Sequence, residues 1–509
     1  MNAGTPILAY DGTGDDSQSP RKRPDDETGA DYLVKTSRGF GNIFHRRVTM
    51  SRVILIDPAY DEKGNVRPQL GTLQLAGMLL REGFDPVLLD FSVLKKDASA
   101  ALNEAMQGNV LFVGISTVVG SMLRGALNAA AAVRERNPIV PIVWGGVHPS
   151  LEPPTTLAHP LVDMIAVGDG EFSTVELAHR LKRGEDVTSI PGMGFLVDGK
   201  VRVNPQKQVF DIEDSPLPPY ELVPLSRYHH DFQKRESFFG LKADFVLSYE
   251  SSRGCPFSCS YCVNSIRKDP FRQKSSGKIV AELDHIITTY GADGIAIIDD
   301  NFFTRPDRAF ETLRLMTAKK WNCQFYVAAR ADFIARCTDA DFDLMKSAGM
   351  VMTSMGVESG SNRMLNILNK KEKAEVALAA NEKLAKHGIY AWFHFLYGFA
   401  RETLDDLLAN CATMRAICEA NPEYARVNLN QLIPNPGSPS FNDCMEYGWT
   451  PPDSIEKWAD VLIHTRRLGK PPYVDQEVWD FSRAHLEGVL DFPRNSMPDF
   501  GGTIGGTVA

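Results

Sequence analysis

The chain has 509 residues, room for two or three domains, and its 43% hydrophobic content is that of a globular protein. A formal net charge of −9 argues against a nucleic-acid partner, which needs a basic face. No apolar run is long enough to span a bilayer, and the polar N-terminus carries no apolar core of a secretory signal, so the sequence points to the cytoplasm and to no membrane.

Residues 1–49 are poor in apolar side chains and mix charges in blocks, the composition of a disordered extension. Met50 stands just before the first apolar run, so Met1 and Met50 both suit as the start. Residues 53–57, 86–90, 110–116, 142–146 and 164–168 are short apolar runs, and helical spacing fills 70–81, the region of 121–136 and the stretch from about Ser173. That alternation predicts an α/β, doubly wound parallel sheet over residues 50–190, with ligands at the carboxyl ends of its strands. Those ends carry Ser116-Thr117, Gly145-Gly146-Val-His148-Pro149 and Gly168-Asp169-Gly170-Glu171. Glycines there let a bulky ligand approach the backbone. Each turn alone is ordinary; three on one sheet suggest a shared site. Residues 191–243, with Pro216, Pro218, Pro219 and Pro224, have the character of a linker.

The alternation resumes over residues 244–435, with apolar runs at 245–248, 294–299, 324–329, 352–358, 390–397 and 427–432. Six such units suit a partial (β/α)6, TIM-like barrel, whose chemistry lies at the C-terminal strand ends. Polar residues fall there: Asp299, Asp300 and Asn301, then Arg330 and Asp332, then Glu358, then Gly398 and Glu402. A charge closing an apolar run is not what core packing asks for. For Asp332 and Glu402, a helix cap or an ion pair explains the residue equally well. Residues 436–509 form a small, mostly helical C-terminal region expected to cover the barrel and help select the substrate, with a frayed tail rich in Gly.

Inside the second region, Cys255, Cys259 and Cys262 are spaced C-x-x-x-C-x-x-C. Three thiolates hold three corners of a [4Fe–4S] cluster, which normally takes four Cys. The remaining iron is then open to a small molecule, and an open metal position means chemistry. A zinc site would want a fourth Cys or His nearby, and the nearest downstream histidine is His285, in a helical stretch. The other five cysteines (Cys323, Cys337, Cys411, Cys418 and Cys444) are scattered and suit small apolar positions.

This motif, with Tyr261 before its last cysteine, resembles the radical S-adenosylmethionine (SAM) superfamily. The turns at 145–149 and 168–171 resemble the cobalamin-binding domain of B12-dependent, class B radical SAM enzymes, and the resemblance covers about residues 50–465. It implies a Rossmann-like B12-binding domain followed by the radical SAM barrel, with a [4Fe–4S] cluster, SAM and cobalamin as cofactors. It assigns Tyr261, Asp300, Asn301, Arg330, Glu358 and Gly398 to SAM: Asp300 and Asn301 beside the amino group, Arg330 on the carboxylate, Glu358 on the ribose hydroxyls, and Gly398 with Glu402 near the adenine. It assigns Gln69, Leu70, Ser116, Thr117, Gly145, Gly146, His148, Gly168 and Glu171 to cobalamin, with Gln69 and Leu70 toward its lower face. No D-x-H-x-x-G motif occurs in residues 50–200, so no motif histidine holds the cobalt from below.

The resemblance further implies reductive cleavage of SAM to an adenosyl radical. Methylcobalamin then methylates an unactivated carbon or phosphorus centre of a small molecule of specialised metabolism, with no covalent catalysis by a side chain. An electron donor such as flavodoxin or ferredoxin is implied. A cyclase or rearrangement enzyme using the same cofactors is the alternative within the class, and a cobalamin-binding sensor or carrier the alternative outside it. A methylthiotransferase would need further N-terminal cysteines, and residues 1–254 contain none.

Overall fold

Parallel strands are buried on both faces, so they are written as continuous aliphatic runs between helices. The computed structural model describes residues 50–58, 67–228, 240–267, 269–468 and 470–485, so the expectations for 1–49 and for the tail lie outside the described residues. The first sheet contains β1 (Arg52–Asp57), β2 (Asp85–Asp90), β3 (Val110–Thr117), β4 (Ile142–Gly146), β5 (Met164–Ala166), β6 (Met193–Val197) and β7 (Lys200–Val203), in the order β2-β1-β3-β4-β5-β6-β7. The first five strands are parallel. The chain leaves β1 in one direction to form β2 and in the other to form β3, and this reversal opens a crevice at the carboxyl ends.

The last two strands are antiparallel. They lie inside the span expected to be a linker. Their turn is Asp198-Gly199, with φ of 49° and 71°, the positive pair that a two-residue hairpin requires. The true connection follows it, and buried Tyr220 donates its hydroxyl to the carbonyl of Ser248 at the start of the second sheet.

The second region holds β8 (Val246–Tyr249), the short antiparallel pair β9 (Ser252–Arg253) and β10 (Arg272–Gln273), and then β11 (Gly294–Ile297), β12 (Gln324–Ala328), β13 (Met350–Glu358), β14 (Tyr390–Tyr397) and β15 (Ala425–Gln431). Six of these form a parallel sheet in chain order, β8-β11-β12-β13-β14-β15, the expected partial barrel. Side chains alternate along β14: Ala391, Phe393, Phe395 and Tyr397 are buried in the core with Leu407 and Met414 of the Leu404–Ala420 helix, whereas Trp392 and His394 on the opposite, inner face are half-buried. One apolar core includes Leu55 and Phe112 of the first sheet and Leu247 and Phe393 of the second.

One of the C-terminal helices packs away from the barrel. The Ile455–Leu468 helix lies against the Ser121–Arg136 helix of the first region, with Arg124 and Asp460 paired at 2.5 Å. Ile455, Trp458 and Ala459 of this helix are buried in the first sheet's own core. Its apolar stripe therefore braces the N-terminal region. Among the described residues no helix is long and apolar enough to cross a membrane.

Gly146 has φ of +99°, and a Cβ there would lie 2.4 Å from the carbonyl oxygen of Thr117. Gly146→Ala should lower the unfolding free energy by about 2 kcal/mol or more, through strain added to collision. Gly277→Ala, in the Ser276–Tyr290 helix with nothing within 4 Å of the new methyl, should be neutral or slightly stabilising. Urea unfolding of both variants checks this.

Candidate active site

The three cysteines lie on a loop that has almost no ladder of its own, so its polar groups must find partners elsewhere. Asp299, just past β11, accepts from the amides of Ser251 (2.7 Å) and Ser252 (3.0 Å) and from both hydroxyls at 2.5 Å. On the far side the amide of Ser260 donates to the carbonyl of Leu368 (2.9 Å), and Asn369 Nδ2 to the carbonyl of Ser258 (2.8 Å). From the C-terminal region, Asn435 Nδ2 donates to the carbonyl of Tyr261 (3.0 Å) and the Ser440 amide to that of Ser260 (3.0 Å). Phe257, between the first two cysteines, has the Arg330 guanidinium 3.8 Å from its ring centre.

Burial pushes the Cys262 thiol up to about 11, with the Asp300 charge adding to the rise, and Cys255 is raised for the same reasons. Iron loading must therefore strip protons from these thiols. Among the described residues, no three His, Cys, Asp or Glu side chains converge tightly enough to hold a single metal ion. Ligands of a cluster sit on separate irons and stand further apart than ligands of one ion. Three thiols on one loop are the donor set of a three-cornered cluster.

Beside the loop, Glu358 ends β13 with φ of 70°, a left-handed conformation rare outside glycine. Its carboxylate folds back over Gly356, where a Cβ would lie 2.1 Å from Oε1. Tyr261 stands near it, its hydroxyl raised by burial and by the Glu358 charge. Lys370, buried and absent from the expected set, places Nζ 3.4 Å from Glu358 and 3.8 Å from Glu372. Arg330 is already engaged, with Asp332 (3.1 Å), Glu372 (3.2 Å), the carbonyl of Lys370 (3.2 Å) and the Phe257 ring. The Arg330 guanidinium thus braces the loop at Phe257, and Lys370 is a second cation nearby. Asn301 Oδ1 is buried without a hydrogen-bond partner. Burial raises the Asp300 carboxyl. Gly398 (φ +84°) donates its amide to Glu402 at 2.5 Å, so Glu402 braces this turn; Asp332 likewise is spent on Arg330 and Arg336.

One layer deeper on the inner face, His394 bonds Ser354 Oγ through Nε2 (2.7 Å) and Asn428 Oδ1 through Nδ1 (2.8 Å). Burial holds this imidazole below its usual value, hence neutral. Nothing in the periodicity of β14 marks His394 as part of such a chain.

At the carboxyl ends of β1, β3, β4 and β5 lies a cavity of about 320 Å³. Its wall includes Ser116, Gly145, Gly146, Gly168 and Glu171 of the expected set. Thr117 is buried behind it, its hydroxyl on the Gly145 carbonyl (3.2 Å). The first helix contributes Gly71, Gln74 and Leu75 to the wall. Gln69 and Leu70, expected there, do not line it: Gln69 is the helix cap and Leu70 is buried in the core. His148 does not line it either. It is buried edge-to-face against Trp458, centroids 5.8 Å apart, and burial alone lowers its pKa to about 4. The carboxamide of Gln74 is buried with neither Nε2 nor Oε1 partnered, a donor–acceptor pair on a glycine-lined wall that fits the amide-fringed corrin of cobalamin.

The same wall reaches the cluster loop through Glu250, Arg253 and Arg267. Arg253 pairs with Glu250 (2.8 Å), Glu171 (2.9 Å) and Asp169 (3.3 Å). Asp169 also takes Arg267 (2.8 Å) and Arg272. Burial alone would raise the Asp169 carboxyl, but the three guanidinium groups outweigh it and hold it at about 2.

The buried Glu402 carboxyl is pushed up to about 8 by desolvation, against two backbone amides that favour its charge. A folded-state pKa raised above the ordinary 4.5 gives stability that is complete below 4.5 and lost as pH rises through about 8. Thermal unfolding should therefore show stability falling across that window, and Glu402→Gln should flatten the fall.

Residues 61–178 match the family described as B12 binding domain, and residues 249–412 the radical SAM superfamily. An uncharacterized methyltransferase of Pyrococcus horikoshii is 27% identical over 74% of this chain and 78% of its own. The anaerobic magnesium-protoporphyrin IX monomethyl ester cyclase of a Synechocystis strain is 27% identical over 66% of this chain and 67% of its own. The cobalamin-dependent SAM radical enzyme OxsB, solved with aqua-cobalamin bound, shares the fold with a TM-score of 0.59 at 21% identity, over 72% of this chain and 52% of OxsB. The radical SAM methyltransferase TsrM of Kitasatospora setae, solved with cobalamin and a [4Fe–4S] cluster bound, gives 0.63 at 18% identity, over 79% and 76%. The chain thus spans about half the length of OxsB. Both domains stand on one polypeptide, and the protein belongs to the cobalamin-dependent radical SAM enzymes, with a [4Fe–4S] cluster, SAM and cobalamin as its cofactors.

Proposed function

We propose that this enzyme is a methyltransferase acting on an unactivated carbon or phosphorus centre of a small molecule of specialised metabolism. The observation that carries the reading is a single wall: the residues bounding the corrinoid cavity run without a break into the cluster loop, through Glu250, Arg253 and Arg267. When bound, the cluster supplies the electron that cleaves SAM and the corrinoid supplies the methyl group. The chain's own part is placement. Cys255, Cys259 and Cys262 hold three irons. Asn301 Oδ1, buried and unpartnered, accepts from the amino group of SAM. Glu358, with Tyr261 near it, accepts the ribose hydroxyls, and the Gly398 turn borders the adenine. Lys370 takes the SAM carboxylate, since its ammonium has no carboxylate oxygen closer than 3.4 Å, whereas Nε and Nη2 of Arg330 are held by Asp332, Glu372 and the carbonyl of Lys370. No side chain acts as a covalent catalyst. A one-electron donor of the flavodoxin or ferredoxin kind completes the system.

The methyltransferase relative favours this reading, and the cyclase relative supports a second one, cyclisation or rearrangement with the same cofactors. SAM deuterated on its methyl group separates them: product carrying the label means transfer, and unlabelled product sinks it. Reduced, reconstituted protein should form 5′-deoxyadenosine, and Cys255→Ala, Cys259→Ala or Cys262→Ala should each abolish this; absence of cleavage in the intact protein would favour a cobalamin-binding sensor.

Lys370→Met should weaken SAM binding about 10- to 100-fold, the worth of one charge-assisted contact. Arg330→Met should instead lower iron content, because it loosens Phe257. Equilibrium dialysis and iron analysis read the two effects separately.

A further inference from the structure

One carboxylate grips the cluster segment at both ends. Asp169 lies in the turn that borders the corrinoid cavity, and its two oxygens meet Arg253, Arg267 and Arg272. Arg253 precedes Cys255 by two residues, and Arg267 closes the short Asn264–Arg267 helix that follows Cys262. Arg272 stands opposite Arg253 in the β9–β10 pair. The main chain of the turn is itself fixed, with Gln206 Nε2 donating to the carbonyls of Val167 (2.7 Å) and Asp169 (3.1 Å). Whatever fills the cavity therefore presses on a turn that cannot move without pulling both arms of the cluster loop.

We propose that Asp169 is a positioning residue that couples the two cofactor sites, so that a bound corrinoid protects the cluster and an assembled cluster tightens corrinoid binding. Such coupling is reciprocal by thermodynamic necessity and typically amounts to about five- to 150-fold. The proposal rests on the cofactors and not on methyl transfer, so it survives if the enzyme proves to be a cyclase.

The geometry also names a clean variant. Without the Asp169 charge, Arg253 keeps Glu250 and Glu171, Arg267 keeps Asp269 (2.6 Å), and Arg272 keeps the carbonyl of Phe210 (2.9 Å). Asp169→Asn thus cuts the charged link from the cavity turn to the outer arm, and of the three guanidinium groups only that of Arg272 is left without a carboxylate, on backbone carbonyls alone. The full chain, with and without a reconstituted cluster, is titrated anaerobically with hydroxocobalamin, and iron loss to a chelator is timed with and without that corrinoid.

In the wild type, the cluster should tighten hydroxocobalamin at least about fivefold, and hydroxocobalamin should slow iron loss by a similar factor. Asp169→Asn should lower both ratios clearly, the surviving Glu171–Arg253 pair keeping a remainder, and Asp169→Glu should restore part of each. A wild-type ratio of one overturns the proposal. So does an Asn variant that keeps the wild-type ratio, even if its affinities fall equally in both states, for that is the mark of a local strut. If Asp169→Asn does not fold, the ratios are taken on Arg267→Gln, whose side chain, 28% exposed, is the least buried of the three partners: a fall in both ratios supports the coupling and their retention refutes it.

Discussion

The carboxylate of Asp299 is the peg from which the cluster loop hangs. A loop that must offer three thiols to a cluster cannot spend its backbone on a ladder, and its buried donors then need an acceptor from outside. Asp299 takes four of them, two amides and two hydroxyls of Ser251 and Ser252, and the next two residues of the same strand end, Asp300 and Asn301, stand beside the cluster site. Other fasteners come from beyond β12, from the turn after β13 and from the segment after β15: Arg330, Leu368 with Asn369, and Asn435 with Ser440. Because parallel strands all end on one side of the sheet, every fastener arrives on the side where the chemistry is placed.

Charge is handled by pairing throughout. Along the barrel rim Glu358, Lys370, Glu372, Arg330 and Asp332 form a continuous run of alternating sign, and at the corrinoid side Arg253 joins Glu250, Glu171 and Asp169, with Asp169 passing on to Arg267. An isolated buried charge would cost several kcal/mol, so a buried ion stays charged here because its neighbours are fixed. The pairs differ in how full they are. Arg330 is held by contacts of about 3 Å through Nε and Nη2, whereas Lys370 has only longer ones.

Much of the architecture was legible in the linear pattern. The alternation of short aliphatic runs with helical spacing placed both parallel sheets, and the helix over Leu70–Arg81 and the strands over Ile142–Gly146 and Tyr390–Tyr397 fall where the periodicity set them. The β6–β7 hairpin was also readable from Asp198-Gly199, but the prolines downstream masked it. The packing of the C-terminal helix was less legible: an apolar stripe shows that a helix is buried, not against what, and Trp458 lies in the first sheet's core.

What the sequence by itself determined is local: the spacing of Cys255, Cys259 and Cys262, the glycines at 145, 146 and 168, and the period of each strand and helix, because each depends on neighbours a few residues away. What the tertiary structure alone decided is which polar groups meet. His148 follows a glycine turn that suggests a ligand site, yet packing turns it against Trp458 and away from the cavity. Arg253 and Asp169, Glu358 and Lys370, Ser354 and His394 and Asn428 come together from separate elements. No local rule encodes those encounters, since each is fixed by the order in which whole strands assemble.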